Sequence, residues 1–321
     1  MDILIAVAFV VGGIALLGYG ADVLVRGAVS IARRLNISAA VIGLTIVSMG
    51  TSLPELTVSV AAALRGASDL SLGNVVGSNI FNLGVVLGAT AMVMPMRVHA
   101  SAVRLEWPFM FLVSFQLLLL ARDGQLDRLE GAFFVVGLAL FTWYVVQIGR
   151  QVGGEEASDL DSEVARRAEK THSIAMAFVL VAAGVVLLVS GGELLVRGAV
   201  TLARALGMTD RIIGLTVVAA GTGAPEAATS LVAARRGQSE IALGNVIGSN
   251  IFNVLGILGV TALVLPLNVS ATMVHWDMAW MLGISLLLFP MMRVRATVSR
   301  FDGAVLLAIY GTYIALLAFK Q

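Results

Sequence analysis

Long apolar runs separated by short charged turns dominate this chain. Each run reaches about the 20 residues that an α-helix needs to cross the hydrocarbon of a bilayer. Ten such runs can be drawn, at about 3–25, 38–64, 70–95, 103–121, 130–149, 173–196, 210–234, 241–266, 272–292 and 301–319. They divide five and five around one long hydrophilic stretch, Arg150 to His172, which holds Glu155, Glu156, Asp159, Asp161, Glu163, Arg166, Arg167, Glu169 and Lys170. That stretch reads as a solvated linker, either a short surface helix or a flexible segment. The segment Met1 to Gly20 lacks a basic leader and reads as the first membrane helix, not as a cleaved signal. The expected architecture is therefore an all-α membrane protein of ten transmembrane helices.

The two sets of five are copies of one another. Residues 22–97 align with 193–268 at a constant offset of 171, and 40 of the 76 positions are identical. The anchors are LVRGAV (24–29 and 195–200), GLT (43–45 and 214–216), GTSLPE against GTGAPE, and GNVVGSNIFN (73–82) against GNVIGSNIFN (244–253). Two copies of this length are a duplication, not a solenoid. Because five spans is an odd number, the second copy must enter the membrane with opposite polarity. Residues 1–149 are then one five-helix repeat, 150–172 a cytoplasmic linker, and 173–321 a second, inverted repeat. Secondary transporters built this way place their site near the midplane, on broken helices.

Composition narrows the class further. The chain has 321 residues, 59% of them hydrophobic and 13% charged, with a net charge of +1. So small a net charge gives no field for nucleic acid. The absence of cysteine removes disulfides, thiolate metal sites and cysteine nucleophiles. Fourteen basic residues fall on one side of the predicted spans and seven on the other, which places both termini outside and the linker in the cytoplasm, in a multi-pass protein of the cell (inner) membrane.

The chemistry concentrates in the two copies of one proline-interrupted apolar run. Glu55 and Glu226 each follow a proline inside an apolar run. A carboxylate at the bilayer centre costs about 3 kcal/mol or more. Pro54 and Pro225 have no N–H for the carbonyls of Gly50 and Gly221, and they disturb those of Thr51 and Thr222. Two carboxylates and freed carbonyls, brought together at a pseudo-two-fold axis, make an oxygen site for a hard divalent cation. The partner helices add a polar face: Asn74, Ser78 and Asn82 lie four apart, as do Asn245, Ser249 and Asn253. Ser78, Asn82, Ser249 and Asn253 read as cation contacts. For Asn74 and Asn245, helix–helix hydrogen bonding is an equal alternative. Acids at Glu106, Asp277, Glu130 and Asp302 recur near span starts and read as helix N-terminal groups.

These motifs, covering essentially the whole chain, resemble the repeats of the calcium/cation antiporter superfamily, in particular the prokaryotic sodium/calcium exchangers. The resemblance implies calcium ligation by Glu55, Glu226 and the Thr51 and Thr222 carbonyls. It also implies sodium sites that share those glutamates with Ser52, Ser78, Ser249, Asn82 and the backbone near Ser48 and Ala219. The chain departs from the pattern in three places. Gly223-Ala224 stands where Ser-Leu is usual, Ser48 where Ala is usual, and Asn253 where an aspartate is frequent. The amide at 253 argues against potassium coupling.

The function this implies is antiport of Ca²⁺ against Na⁺ by alternating access, with no resident cofactor, the ions being substrates and the lipid bilayer the surroundings. Two close carboxylates repel when ionised and empty, so the carrier crosses only when loaded with Ca²⁺, Na⁺ or protons. The glycine-rich spans one and six (Gly12, Gly13, Gly18, Gly20; Gly184, Gly191, Gly192) suit sliding against the core. The alternative is Ca²⁺/H⁺ antiport on the same fold, which the missing hydroxyl at 223 and the missing carboxylate at 253 keep open. A passive channel fits poorly with paired buried acids in an inverted repeat. An intramembrane enzyme has no Ser–His pair or HExxH to support it, and His99, His172 and His275 lie at span ends or in the linker.

Overall fold

The computed structural model describes residues 3–160, 173–208 and 219–319. Among these residues the elements are α1 (Ile3–Leu35), α2 (Ala39–Thr51), α3 (Leu53–Leu64), α4 (Ser68–Val93), α5 (Ala102–Asp123), α6 (Arg128–Leu160), α7 (Ile174–Ala205), α8 (Ala219–Thr222), α9 (Ala224–Arg235), α10 (Ser239–Val264), α11 (Met273–Arg295) and α12 (Arg300–Phe319). Eight of the described helices are long and apolar enough to cross a bilayer. A ninth span is the pair α2 and α3, bent by 47°. The predicted span at 210–234 begins outside the described residues, and α8 and α9 are its described part. Of the expected linker, the stretch to Leu160 continues α6, and 161–172 lie outside the described residues.

α4 and α10 form the centre. In its most apolar window α10 is 89% buried and α4 78%, against 22% for α1 and α6, so the latter face lipid. The segments GNVVGSNIFN and GNVIGSNIFN therefore run through the middle of the molecule. Their glycines serve packing in the second copy: a Cβ on Gly244 would stand 2.7 Å from the Ala40 carbonyl oxygen. α10 consequently lies directly against the α2 backbone.

The first helix of each repeat shows the inversion directly. α1 and α7 pack side by side through a stripe of small residues spaced by seven: Ala6, Gly13, Gly20 and Gly27 against Ala177, Gly184, Gly191 and Gly198. A Cβ on Gly13 would sit 2.8 Å from the Gly191 oxygen, and one on Gly27 2.9 Å from the Ala177 oxygen. One contact climbs as the other descends, so the two helices are antiparallel. Close backbone approach of this kind needs small side chains and suits a lipid environment, where burial alone gives helices little reason to associate.

Two short antiparallel ribbons repeat the message at the two faces. β1 (Met96–Arg97) pairs with β4 (Thr297–Val298), and β2 (Gln125–Leu126) with β3 (Leu267–Asn268). β1 follows the third span of its repeat, whereas β4 follows the fourth span of the other. That cross-pairing is what opposite polarity produces.

The four acids near span starts separate into two kinds. Glu130 and Asp127 exchange backbone N–H bonds of 2.8 and 2.9 Å, and Asp302 and Ser299 do the same at 2.8 and 3.3 Å. Both are capping boxes at helix N-termini, the location that the sequence suggests for these acids. Asp277 instead accepts from the Tyr313 hydroxyl at 2.8 Å, and Glu106 is buried within α5. α10 of the other repeat packs against the start of α5, where Glu106 lies buried, which the local sequence does not show.

Candidate cation site

Each broken helix is interrupted one residue before the motif's leucine or alanine. Ser52 (φ −86°, ψ 10°) and Gly223 (φ −83°, ψ 3°) leave the helical course, and Pro54 and Pro225 then occupy the first turn of α3 and α9. Proline is tolerated there because that N–H has no helical partner to lose. The proline thus starts a new helix at the break, and the glutamate that follows lies in that helix's first turn. Negative charge is favoured at this end of a helix.

Both glutamates are 1% exposed, and the two carboxylates are within electrostatic reach of each other. They are joined across the repeats: the Ser52 hydroxyl donates to Glu226 Oε1 at 2.9 Å. The Thr51 hydroxyl lies 3.3 Å from Asn245 Oδ1 of the other repeat and 3.2 Å from the Ser48 carbonyl. Ser48 is fully buried, its hydroxyl donating to the carbonyls of Leu44 (2.8 Å) and Thr45 (3.1 Å). Thr222 ends α8, partly buried, and Ala219 begins it. Ser78, Asn82, Ser249 and Asn253 are all buried along α4 and α10. Asn82 and Asn253 each open a stretch of π-helical turn (Asn82–Val86 and Asn253–Leu258), where wider coiling re-aims side chains and backbone alike.

Four buried oxygens here have no hydrogen-bond partner: Glu55 Oε2, Glu226 Oε2, Ser249 Oγ and Asn253 Oδ1. A buried polar atom is ordinarily satisfied, and a cluster of orphaned oxygens is the signature of a place for a cation. No three acidic, histidine or cysteine side chains converge anywhere among the described residues, so only neutral oxygens can supplement the two carboxylates.

The sequence left Asn74 and Asn245 open between cation contact and helix–helix hydrogen bonding, and it did not single out Asn79, Asn250 or Phe81. Asn74 donates to the Glu55 carbonyl (3.1 Å) and to Ser59 (2.9 Å), and Asn245 to the Glu226 carbonyl (3.4 Å) and Ser230 (3.0 Å). Both amides therefore hold the backbone of the glutamate. The spacing of 19 residues in each copy was the available signal. Asn253 Nδ2 donates to Asn79 Oδ1 at 3.0 Å, and Asn79 Nδ2 to the Asn250 carbonyl at 3.2 Å. The ring of Phe81 lies over Gly223, so that a Cβ there would stand 2.5 Å from the ring edge. An aromatic edge from the first repeat thus stands against Gly223, at the position where the first copy carries the Ser52 hydroxyl.

The helices around the site are packed unequally on its two sides. In α1, Val23, Leu24, Val25, Ala28, Ser30 and Ile31 are buried; their counterparts Leu194, Leu195, Val196, Ala199, Thr201 and Leu202 in α7 are only partly so. α1 packs along α9, whereas α7 makes no comparable contact with α3. Leu53 and Val58 of α3 are accordingly exposed, while their counterparts Ala224 and Thr229 of α9 are partly or fully buried.

Comparison with known proteins agrees with this arrangement. Residues 5–147 and 176–319 match the family model described as sodium/calcium exchanger protein. The chain is 40% identical to a putative antiporter, CaxA, of Alkalimonas amylolytica over 97% of this chain and 98% of that one. It is 31% identical to the sodium/calcium exchanger MaX1 of Methanosarcina acetivorans, over 95% and 96% of the two chains. The solved sodium-calcium exchanger NCX_Mj superposes with a TM-score of 0.83 at 34% identity, over 98% of this chain and 99% of that one. The chain belongs to the sodium/calcium exchanger family and is a multi-pass membrane antiporter of cations.

Proposed function

We propose that the protein exchanges Ca²⁺ for Na⁺ across the cell (inner) membrane by alternating access, with both termini outside. Glu55 and Glu226 neutralise a divalent ion, and the Thr51 and Thr222 carbonyls complete its oxygen shell. Sodium ions share the glutamates with Ser52, Ser78, Ser249, Asn82 and the backbone at Ser48 and Ala219, and Asn253 adds its amide oxygen. The observation that carries this reading is the meeting of one buried glutamate from each repeat, bridged by Ser52 and surrounded by oxygens without partners. The relatives' names support sodium as the counter-ion.

Transport in proteoliposomes tests it, with Na⁺ and H⁺ gradients imposed separately. Calcium uptake should follow an outward Na⁺ gradient and vanish in Glu55→Gln. Uptake that follows the pH gradient with sodium absent would select Ca²⁺/H⁺ antiport instead. Gly223 and Asn253, which remove a hydroxyl and a charge from the second copy, favour that second reading.

A further inference from the structure

We infer that the two repeats carry a pair of alternating ion-pair latches, Asp22–Arg236 and Glu193–Arg65, of which the structure has the first closed and the second open. Asp22 of α1 is held by Arg26 one turn along its own helix, at 2.7 Å, and also by Arg236 at the end of α9. The offset of 171 maps these three residues onto Glu193, Arg197 and Arg65. All three charges are therefore kept in the second copy. There Glu193 is paired with Arg197 of its own helix, and Arg65 ends α3 exposed to solvent. Among the described residues Arg65 makes no ion pair with Glu193.

One molecule thus displays the same acid and the same arginines in both engaged and disengaged forms. The engaged form coincides with the side on which α1 is packed along α9, and the disengaged form with the side on which α7 stands off α3. α1 and α7 are locked together through their glycine stripe. A displacement of that pair which opens the first side draws Asp22 away from Arg236. By the repeat symmetry it carries Glu193 toward Arg65. Each acid keeps its helix neighbour, Arg26 or Arg197, in both states, so no charge is stranded during the exchange. A partly exposed pair contributes little, which suits a latch that must release.

The absence of native cysteine makes the test direct. Two double variants are prepared in proteoliposomes, Asp22→Cys with Arg236→Cys and Arg65→Cys with Glu193→Cys, together with the four-fold variant. Each pair should form a disulfide under mild oxidation, each disulfide should stop calcium exchange, and reductant should restore it. In the four-fold variant no single molecule should carry both disulfides. Introduced beside the Arg65/Glu193 cysteine pair, Asp22→Asn should speed its cross-linking about two- to fivefold, the effect of one partly exposed ion pair on a two-state ratio. Asp22→Glu should leave that rate near the starting value. Arg236→Gln breaks the same latch from the other helix and should match Asp22→Asn, so a folding defect in one variant does not decide the result.

The inference rests on the alternating-access reading, and the two fail differently. Exchange that continues with either pair cross-linked overturns the latches, whereas calcium flux through the native chain with no counter-ion on the far side overturns alternating access. Exchange that stops, but with both disulfides in one molecule or a cross-linking rate unmoved by Asp22→Asn and Arg236→Gln, overturns the latches alone.

Discussion

The segment LVRGAV occurs at 24–29 and again at 195–200, yet the first copy is packed into the protein and the second is only partly covered. Sequence cannot be the cause, because those six residues are identical. What differs is the partner: α1 lies along α9, and α7 stands off α3. One sequence stable in two surroundings within a single molecule is the property that a two-state carrier needs. Interfaces of packed helices switch between discrete arrangements more readily than they deform continuously.

Four measurements can break or sharpen this comparison. The largest effect belongs to the centre, where the two halves should be equal in spite of their unequal covering. Glu55→Gln and Glu226→Gln should each weaken calcium binding by roughly a hundredfold or more, as affinity for Ca²⁺ follows the charge count of its ligands. Calorimetric titration of the purified protein reads this directly. If only one of the two matters, the site is not shared between the repeats.

The glycine stripe comes next, since it is the part that both halves must hold in common. Gly20→Leu should destabilise the detergent-solubilised protein by about 1–3 kcal/mol through overpacking against Leu187 and Leu188. Gly18→Leu, where no atom lies within 4 Å of a built Cβ, should change the thermal midpoint little. Gly191→Leu should repeat the loss from the other helix. Equal behaviour of Gly18 and Gly20 would remove the interlock between α1 and α7.

Ser52 supplies the one hydroxyl that the second copy lacks at Gly223. Ser52→Gly makes the halves alike at this position and removes a bond to a charged acceptor, so the affinity for calcium or sodium should change by about tenfold. The reverse change, Gly223→Ser, meets the Phe81 ring and should be tolerated only together with Phe81→Leu. Both are read by the sodium and calcium dependence of transport.

The smallest difference concerns the two amides. Asn245→Ala leaves Ser230 and the Glu226 carbonyl short of a donor in a fully buried place, whereas Asn74 is only partly buried. Asn245→Ala should therefore cost about 1 kcal/mol more stability than Asn74→Ala. Thermal unfolding of the two variants side by side checks it.

Much of the fold was open to reading because membrane spans are written in simple chemistry. The spans are predominantly apolar over about 20 residues, and the repeat shows as identity at a fixed offset. Glu55 and Glu226 stand out because a charge in lipid is costly. Glu130 and Asp302 read as helix N-terminal acids and lie at helix N-termini, where the structure adds the capping-box partners Asp127 and Ser299. Glu106, by contrast, looked like another helix-start acid and is buried, because what covers it comes from the other repeat. The roles of Asn74 and Asn245 were undecided for the same reason: donation to a glutamate carbonyl 19 residues earlier is a matter of how two helices are set side by side. The small residues at intervals of seven in α1 and α7 were visible as letters, but only their contacts reveal an antiparallel interlock.

The sequence by itself determined that this chain spans a membrane many times, that it is built of two inverted halves, and that each half brings one carboxylate to a broken helix. Those facts follow from composition and from duplication, which are local or repetitive and need no knowledge of neighbours. Only the tertiary structure decided that Ser52 reaches across to Glu226, that Phe81 fills the space over Gly223, and that α1 is packed along α9 and joined to it by Asp22–Arg236 while its twin pair is not. Identical segments can differ only through what they touch, and what they touch is set by the packing of distant helices.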